Sequence, residues 1–443
     1  MGNPLRYVRR MGGKFLRRLP NVWLGACIAV GRRLSERRLR TGRIRTLWGV
    51  TPILTLPLKA RCDQALGWRS ESAVFTNYYI TKAFTWNFRW ACAVAVRVPG
   101  LYGPFCKFLL GVALLRYDVF HYFADRGLLA PTERFGINAE ELEILHQAGK
   151  RVYVYAYGAD VRTRQRTLDL GPWNFCRDCD TPGKHCVCDD TTGAAIMARI
   201  SKHVTATVSL GDMLTYMPGA HHLAYWPIDT DANKFVGVGP QAGPLKIAHA
   251  PNHSHFKGTR YLEASIERLR QRGHAIEFVK VSGVPNTEVL RLFADADVVA
   301  DQFIGGAYGY AALEALARGK PVLTYVRHSG LIEAADECPF LNATPDTLDA
   351  VLIWCCENRD RLPAIGAKGR AYVERWHSIP AVASRLARLY LETAGFPAQI
   401  EVGLRAFVAS EAARRDAVRS PESWRHPWRV ADNIHIRCPT VRG

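Results

Sequence analysis

Nowhere in its 443 residues does this sequence hold an uninterrupted apolar run of the roughly 20 residues that a membrane-spanning helix requires. Val22–Val30 is apolar but short, and Phe84–Leu115 is broken by Arg97, Pro99, Pro104 and Lys107. A secretory cleavage pattern is missing too, because Gly31-Arg32-Arg33 follows Val22–Val30 where small residues should mark the site. Acid is scarce at the start: Met1–Arg45 holds thirteen Lys and Arg against the single acid Glu36. No aromatic-basic platform or recognition helix accompanies this positive charge, which argues against a nucleic-acid binder. No long internal repeat is present.

What is there is a chain long enough for two domains with appendages, 48% hydrophobic and with a formal net charge of +19. Residues 1–45 account for +12 of it, so the excess belongs mainly to an N-terminal arm, and such arms bind anionic surfaces. With Trp23 and Leu24 in its apolar part, the arm reads either as a segment lying in a headgroup layer or as a solvated tail. Phe84–Leu115 reads as two short helices joined by Val98–Pro104, either buried in the first domain or dipping into one leaflet. Twelve cysteines without a secretory signal point to reduced thiols and a cytoplasmic address, peripheral on the inner face of the plasma membrane if the arm binds there. Four of them cluster as Cys176-x2-Cys179 and Cys186-x-Cys188, a spacing that suits one structural tetrahedral Zn²⁺ or four free thiols. Four thiolates would leave no open position for catalysis by that metal.

Residues 1–44 form the arm, and 45–228 read as a first Rossmann-like domain. Its strands fall near Arg45–Leu56, Ser72–Phe75, Tyr117–Phe123 and Arg151–Tyr157, and the helix Ala139–Ala148 ends at Gly149. Residues 229–243 are a linker rich in Gly and Pro. Residues 244–395 alternate cleanly: strand Leu245–His249, helix Thr259–Gln271, strand Ala275–Lys280, helix Asn286–Ala294, strand Ala296–Asp301, helix Ala311–Arg318, strand Pro321–Tyr325. That order predicts a parallel sheet with right-handed crossovers. Pro380–Thr393 reads as a helix that packs back on the first domain, and 396–443 as a mobile or peripheral tail.

Gly305-Gly306-Ala307-Tyr308-Gly309-Tyr310 followed by Ala311–Leu316 reads as a glycine-rich turn opening a helix, with Glu314 one or two turns in. The glycines admit close backbone approach, and the helix start offers free N–H groups and its positive dipole end to a phosphate. A second loop, His249-Ala-Pro-Asn-His-Ser-His-Phe-Lys-Gly258, leaves the carboxyl end of another strand of that sheet, where α/β sheets bind ligands. Lys257 there suits the charge on a leaving diphosphate, with His253 or His255 beside it.

The first of these segments resembles the donor-site signature of the retaining glycosyltransferases of family 4. In that family two glutamates eight positions apart flank a Gly-Phe-Gly-like turn. Here the second is Glu314, and Gly306 stands at the position of the first. The loop at 249–258 resembles the family's Arg/Lys phosphate loop, with Lys257 at the lysine and Asn252 at the arginine. Trp226–Phe235 is similar to the family's exit from the first domain. Tyr117–Asp125 matches the first histidine of a His-x-His strand as His121, with Phe123 at the second. Tyr153–Arg162 is similar to a His-Gly-Ser-Asp-x-Arg turn, with Tyr157 at the histidine and Gly158, Asp160 and Arg162 kept.

The resemblance implies a GT-B fold of two facing Rossmann-like domains with parallel sheets. It implies transfer of a sugar from a nucleotide-diphosphate donor to an acceptor hydroxyl with retention, in bacterial surface-polysaccharide or glycolipid assembly, on a saccharide or lipid-linked acceptor. Lys257 and Glu314, with His121, are then the expected catalytic residues. Asn252, His253, Gly306, Tyr308, Gly309 and Tyr310 fall to the donor, and Gly158, Asp160 and Arg162 to the acceptor. Catalysis needs no cofactor in this scheme, because cationic side chains and the helix dipole replace a divalent metal. The rival readings are a nucleotide-sugar epimerase of the same fold and a binding protein that has lost catalysis.

Overall fold

The structure, a computed structural model, describes residues 4–77, 81, 83–239 and 242–432, with the backbone alone for 4–19. It opens with a 37-residue helix, α1 (Pro4–Arg40). The first sheet contains β1 (Arg45–Val50), β2 (Arg69–Val74), β3 (Trp86–Asn87), β4 (Val119–Phe123), β5 (Arg151–Tyr155), β6 (Ala206–Ser209) and β7 (His221–His222). Every pairing is parallel, in the order β3-β2-β1-β4-β5-β6-β7, so the direction of winding reverses beside β1. Between the strands run α2 (Leu56–Ala65), α3 (Arg89–Arg97), α4 (Tyr102–Arg116), α5 (Ala139–Gln147), α6 (Arg164–Leu168) and α7 (Asp190–Ser201). Helices cover both faces of the sheet, which is why β4 reads as a continuous buried run, Val-Phe-His-Tyr-Phe, rather than an alternating one. Local signals set the ends: Asn138 caps α5 by accepting from the Glu140 amide at 3.0 Å, and Gly149 with φ +65° closes it.

The second sheet is also parallel and is ordered β12-β11-β10-β8-β9. Its strands are β8 (Leu245–His249), β9 (Ile276–Lys280), β10 (Val298–Ala300), β11 (Val322–Thr324) and β12 (Leu341–Asn342). Its helices are α8 (Ser254–Lys257), α9 (Thr259–Gln271), α10 (Asn286–Asp295), α11 (Tyr310–Ala317), α12 (Leu348–Glu357) and α13 (Leu362–Trp376). Then α14 (Ile379–Thr393) returns to the first domain, where Leu386 and Tyr390 share a core with Trp48 and Tyr155. The chain therefore passes between the domains twice. The two passages run side by side: the Ile228 amide donates to the His377 carbonyl at 2.6 Å, and Ile228 bridges Ser378.

Two expectations change at the chain ends. The basic arm is not a separate appendage from Leu24 onward, because Leu24 and Cys27 are buried in the first core and a Cβ on Gly31 would meet the Leu114 backbone of α4. Arg38 grips Asp118, a fully buried carboxylate at the start of β4, through Nε and Nη2 at 2.8–3.0 Å. Lys150 adds hydrogen bonds to the Gly31 carbonyl at 3.0 Å and Ser35 Oγ at 3.1 Å. The arm's arginine thus neutralises a core acid. At the other end, α15 (Ala398–Ala417) packs on α14, and Trp424 and Val430 are buried beyond it, so the tail expected to be mobile or peripheral is packed as far as Asp432. Its remainder, 433–443, lies outside the described residues.

Candidate functional site

The carboxyl ends of both sheets face a cavity of about 210 Å³ between the domains. One wall is the turn after β5. Asp160 Oδ1 accepts from the amides of Tyr157 and Gly158 at 3.0 and 2.9 Å, which fixes the turn, while its Oδ2 is buried without a partner. Burial, and next the nearby Asp125 carboxylate, push the Asp160 carboxyl up to about 7. Gly158 has φ +120°, and a Cβ there would meet Arg162 Nη2 at 2.7 Å, so only glycine lets the arginine lie beneath the turn. The Arg162 guanidinium lies over Phe175 at 4.2 Å, and among the described residues its one side-chain hydrogen bond is to Cys186 Sγ at 3.5 Å. Behind Tyr157, Asp125 accepts from Thr51 Oγ1 at 2.6 Å and from the Tyr157 hydroxyl at 3.5 Å, and burial raises its carboxyl above the usual range.

The opposite wall is the loop between β10 and α11. Gly305, Ala307, Tyr308 and Gly309 line the cavity, and the amides of Gly305, Gly306, Ala307 and Tyr308 make no hydrogen bond among the described residues. The Gly309 amide, at the start of α11, donates to Asp301. Lys257 Nζ donates to the other oxygen of that carboxylate at 2.6 Å and to Gln302 Oε1 at 3.1 Å. Asp301 therefore bridges the helix start and the lysine, the two groups expected to meet a phosphate. Gly306 is explained by what lies above it. Its φ is +74°, and a Cβ would run into the guanidinium of Arg327, which pairs with Asp212 of the first domain and donates to the Trp173 carbonyl at 3.0 Å. An arginine that pairs with the first domain thus occupies the space a side chain at 306 would need.

The expected site residues separate by position. Gly158, Arg162, Tyr308 and Gly309 line the cavity, with Lys257 and Gly306 directly beside it. Asp160 and Tyr310 serve the frame: the first holds its turn, and the Tyr310 hydroxyl donates to the Pro227 carbonyl at 2.9 Å. Asn252 and His253 are exposed on the loop before α8. Glu314 is 5% exposed, accepts from Asn286 Nδ2 at 2.9 Å, and has its carboxyl pushed by burial to about 7.

His121 requires a correction. It is fully enclosed, stacked on Trp48 at 3.8 Å and hydrogen-bonded to the hydroxyls of Tyr155 and Tyr390 at 3.2 and 3.1 Å. Burial, and then the Lys59 charge, hold its imidazole well below the usual pKa, so it is a neutral core residue and does not line the cavity. For the cysteine cluster the sequence leaves zinc and free thiols open. Cys186 faces Arg162, Cys188 Sγ accepts from the Gly183 amide at 3.0 Å, and Cys176 is buried. Among the described residues no group of three or more His, Cys, Asp or Glu is arranged to hold a metal ion.

The sequence signals missed Asp125, Asp212, Asp301, Phe175 and Arg327. Asp301 ends a strand of a parallel sheet and was open to the rule that ligands bind there. Asp212 and Arg327 lie 115 positions apart and carry no local signal.

No protein-family model and no curated protein matches the sequence. Among solved structures, Anabaena HepE in complex with UDP-glucose superposes with a TM-score of 0.50 at 12% identity, covering 79% of this chain and 100% of that one. Sucrose-phosphate synthase from Thermosynechococcus elongatus has a TM-score of 0.47 at 13% identity, covering 79% and 98%. Identities this low speak to fold alone. The two parallel-sheet domains with their crossing helix are a GT-B fold.

Proposed function

We propose that the protein is a glycosyltransferase that takes a sugar from a nucleotide-diphosphate donor. The observation that carries this reading is the pairing of four unengaged amides, Gly305 to Tyr308, with the Arg162 guanidinium across one cavity. Free backbone N–H groups at a helix entry and a nearly unpartnered cation are what a diphosphate needs. UDP-glucose is the natural first donor to test, because HepE is described in complex with it.

In the proposed reaction the acceptor oxygen bonds to the anomeric carbon as the bond from that carbon to the phosphate oxygen breaks. The bonding pair leaves with the diphosphate, which also takes up the acceptor's proton, and the sugar keeps its configuration. Arg162 and the loop amides stabilise the leaving charge, and Lys257 joins them once its bond to Asp301 yields. Asp125 and Tyr157, on the first-domain wall, orient the acceptor hydroxyl. Glu314 acts from behind the loop, where Asn286 holds it, on the donor's ribose. We place the activity in cell-surface polysaccharide or glycolipid assembly, with a saccharide or lipid-linked acceptor.

A second reading, binding of a nucleotide sugar without transfer, is favoured by one feature: Asp301 already satisfies both Lys257 and the Gly309 amide. Incubation with labelled nucleotide sugars separates the two. Transfer to an added saccharide, or slow hydrolysis with release of the nucleoside diphosphate, supports the transferase. Saturable binding with no turnover supports the second reading, and the absence of binding to any nucleoside diphosphate or its sugars refutes both.

A further inference from the structure

The outer surface of the first domain carries an apolar face that the cavity does not use. On the hairpin of α3 and α4, Trp90, Val94, Leu101 and Phe108 are 77%, 56%, 40% and 52% exposed and border one shallow depression. α1 extends the face: Trp23 stacks on Phe108 with ring centroids 5.8 Å apart, and Val22 beside it is exposed. The contact with α4 is built for the indole, since a Cβ on Gly111 would collide with the Trp23 ring. Large apolar side chains exposed singly are ordinary, but a contiguous group on three adjoining helices marks an interaction surface.

Its surroundings indicate what covers it. Arg89 and Arg97 are exposed on α3, Lys107 lies on α4, and neither helix contains an acid. The sequence of residues 1–45, most of it α1, carries a net +12, with Arg38 committed to Asp118. Tryptophan and phenylalanine with exposed arginines on the same hairpin, and Lys107 shared with Glu140 at 3.6 Å, suit the boundary between headgroups and acyl chains of a negatively charged leaflet. No helix among the described residues is long and apolar enough to cross a membrane, so contact is confined to the surface plane.

We propose that the α3–α4 hairpin, with Trp23 of α1, is the face by which this protein lies on an anionic lipid leaflet. The hairpin supplies the apolar insertion and the arginines the attraction, so both are required. This holds whichever reaction the cavity supports. The test is flotation of the full-length protein with vesicles of phosphatidylglycerol and phosphatidylcholine, and with phosphatidylcholine alone. The proposal expects binding to the anionic vesicles that weakens as salt rises, and little to the neutral ones.

Trp90→Glu with Phe108→Glu should lower the anionic partition coefficient by about tenfold or more, while Val402→Glu, at an exposed valine of α15, leaves it unchanged. Val94→Ser with Leu101→Ser serves as a milder pair should the first disturb the fold by circular dichroism. Failure of the parent to float overturns the proposal, as does equal binding of the parent and a folded hairpin variant. A lipid-free dimer that the hairpin variants dissolve overturns it as well, and assigns the face to a second copy of this chain.

Discussion

Replacing Arg327 with methionine tests how firmly the two walls of the cavity are joined. The arginine side chain is 4% exposed and that of Asp212 is 11%, so the charges face each other largely away from water. Taking one partner from a buried ion pair strands the other charge, at a cost of about 3–5 kcal/mol. The residual exposure of Asp212, and the loss of the 3.0 Å bond to the Trp173 carbonyl, place Arg327→Met near about 3 kcal/mol. Asp212→Asn in the same background removes the stranded charge. The double variant should therefore recover about half the loss, so that the effects of the two single variants do not add. Urea unfolding followed by tryptophan fluorescence on the parent, both single variants and the double closes the cycle, with midpoints compared at a common slope. Arg327→Met within about 0.5 kcal/mol of the parent, or single effects that simply add, would refute the reasoning.

Three further outcomes follow from the geometry. Lys257→Ala should weaken UDP-glucose binding about tenfold or more by calorimetry. It should also destabilise the fold, because Asp301 loses its counter-charge; adding Asp301→Asn restores stability without restoring binding. Glu314 has its carboxyl raised to about 7 from an ordinary 4.5, so between those values the folded chain holds a proton that the unfolded chain releases. Stability therefore falls as pH rises through that window, and Glu314→Gln should flatten the fall; a parent and variant with parallel pH profiles would show that the carboxyl is not responsible. Arg38→Ala leaves Asp118 fully buried without its cation and should cost about 3–5 kcal/mol in thermal or urea unfolding, whereas an arm that is merely solvated predicts no change.

Much of the second domain was legible because its elements carry their own signals. The run from Leu245 to Tyr325 alternates strand and helix with turn residues between, and β8 and α9 occupy the expected spans. Proximity between distant positions was less so. The arm read as an appendage because a cation in a sequence does not announce its partner, and Arg38 finds Asp118 eighty positions away. His121 read as a possible catalyst because a histidine on a strand looks the same facing a cleft or a core, and only the stacking on Trp48 distinguishes them. At the cavity the glycines were legible through the backbone geometry they permit. Arg327 was not, although it explains why position 306 has no side chain.

The paired crossing at Ile228 and Ser378 has a mechanical consequence. Two backbone threads bonded to each other act as one hinge pin, whereas crossings set apart would let the domains also twist and shear. The crossing is then one joint rather than two, and Arg327 with Asp212 ties the domains a second time at the cavity. His377 sits on that pin, with Nδ1 at 3.2 Å from the Trp226 carbonyl and Nε2 at 3.4 Å from the Tyr308 hydroxyl beside the loop. The imidazole therefore ties the crossing directly to the loop that lines the cavity, so a change in the angle of the crossing is felt at Tyr308.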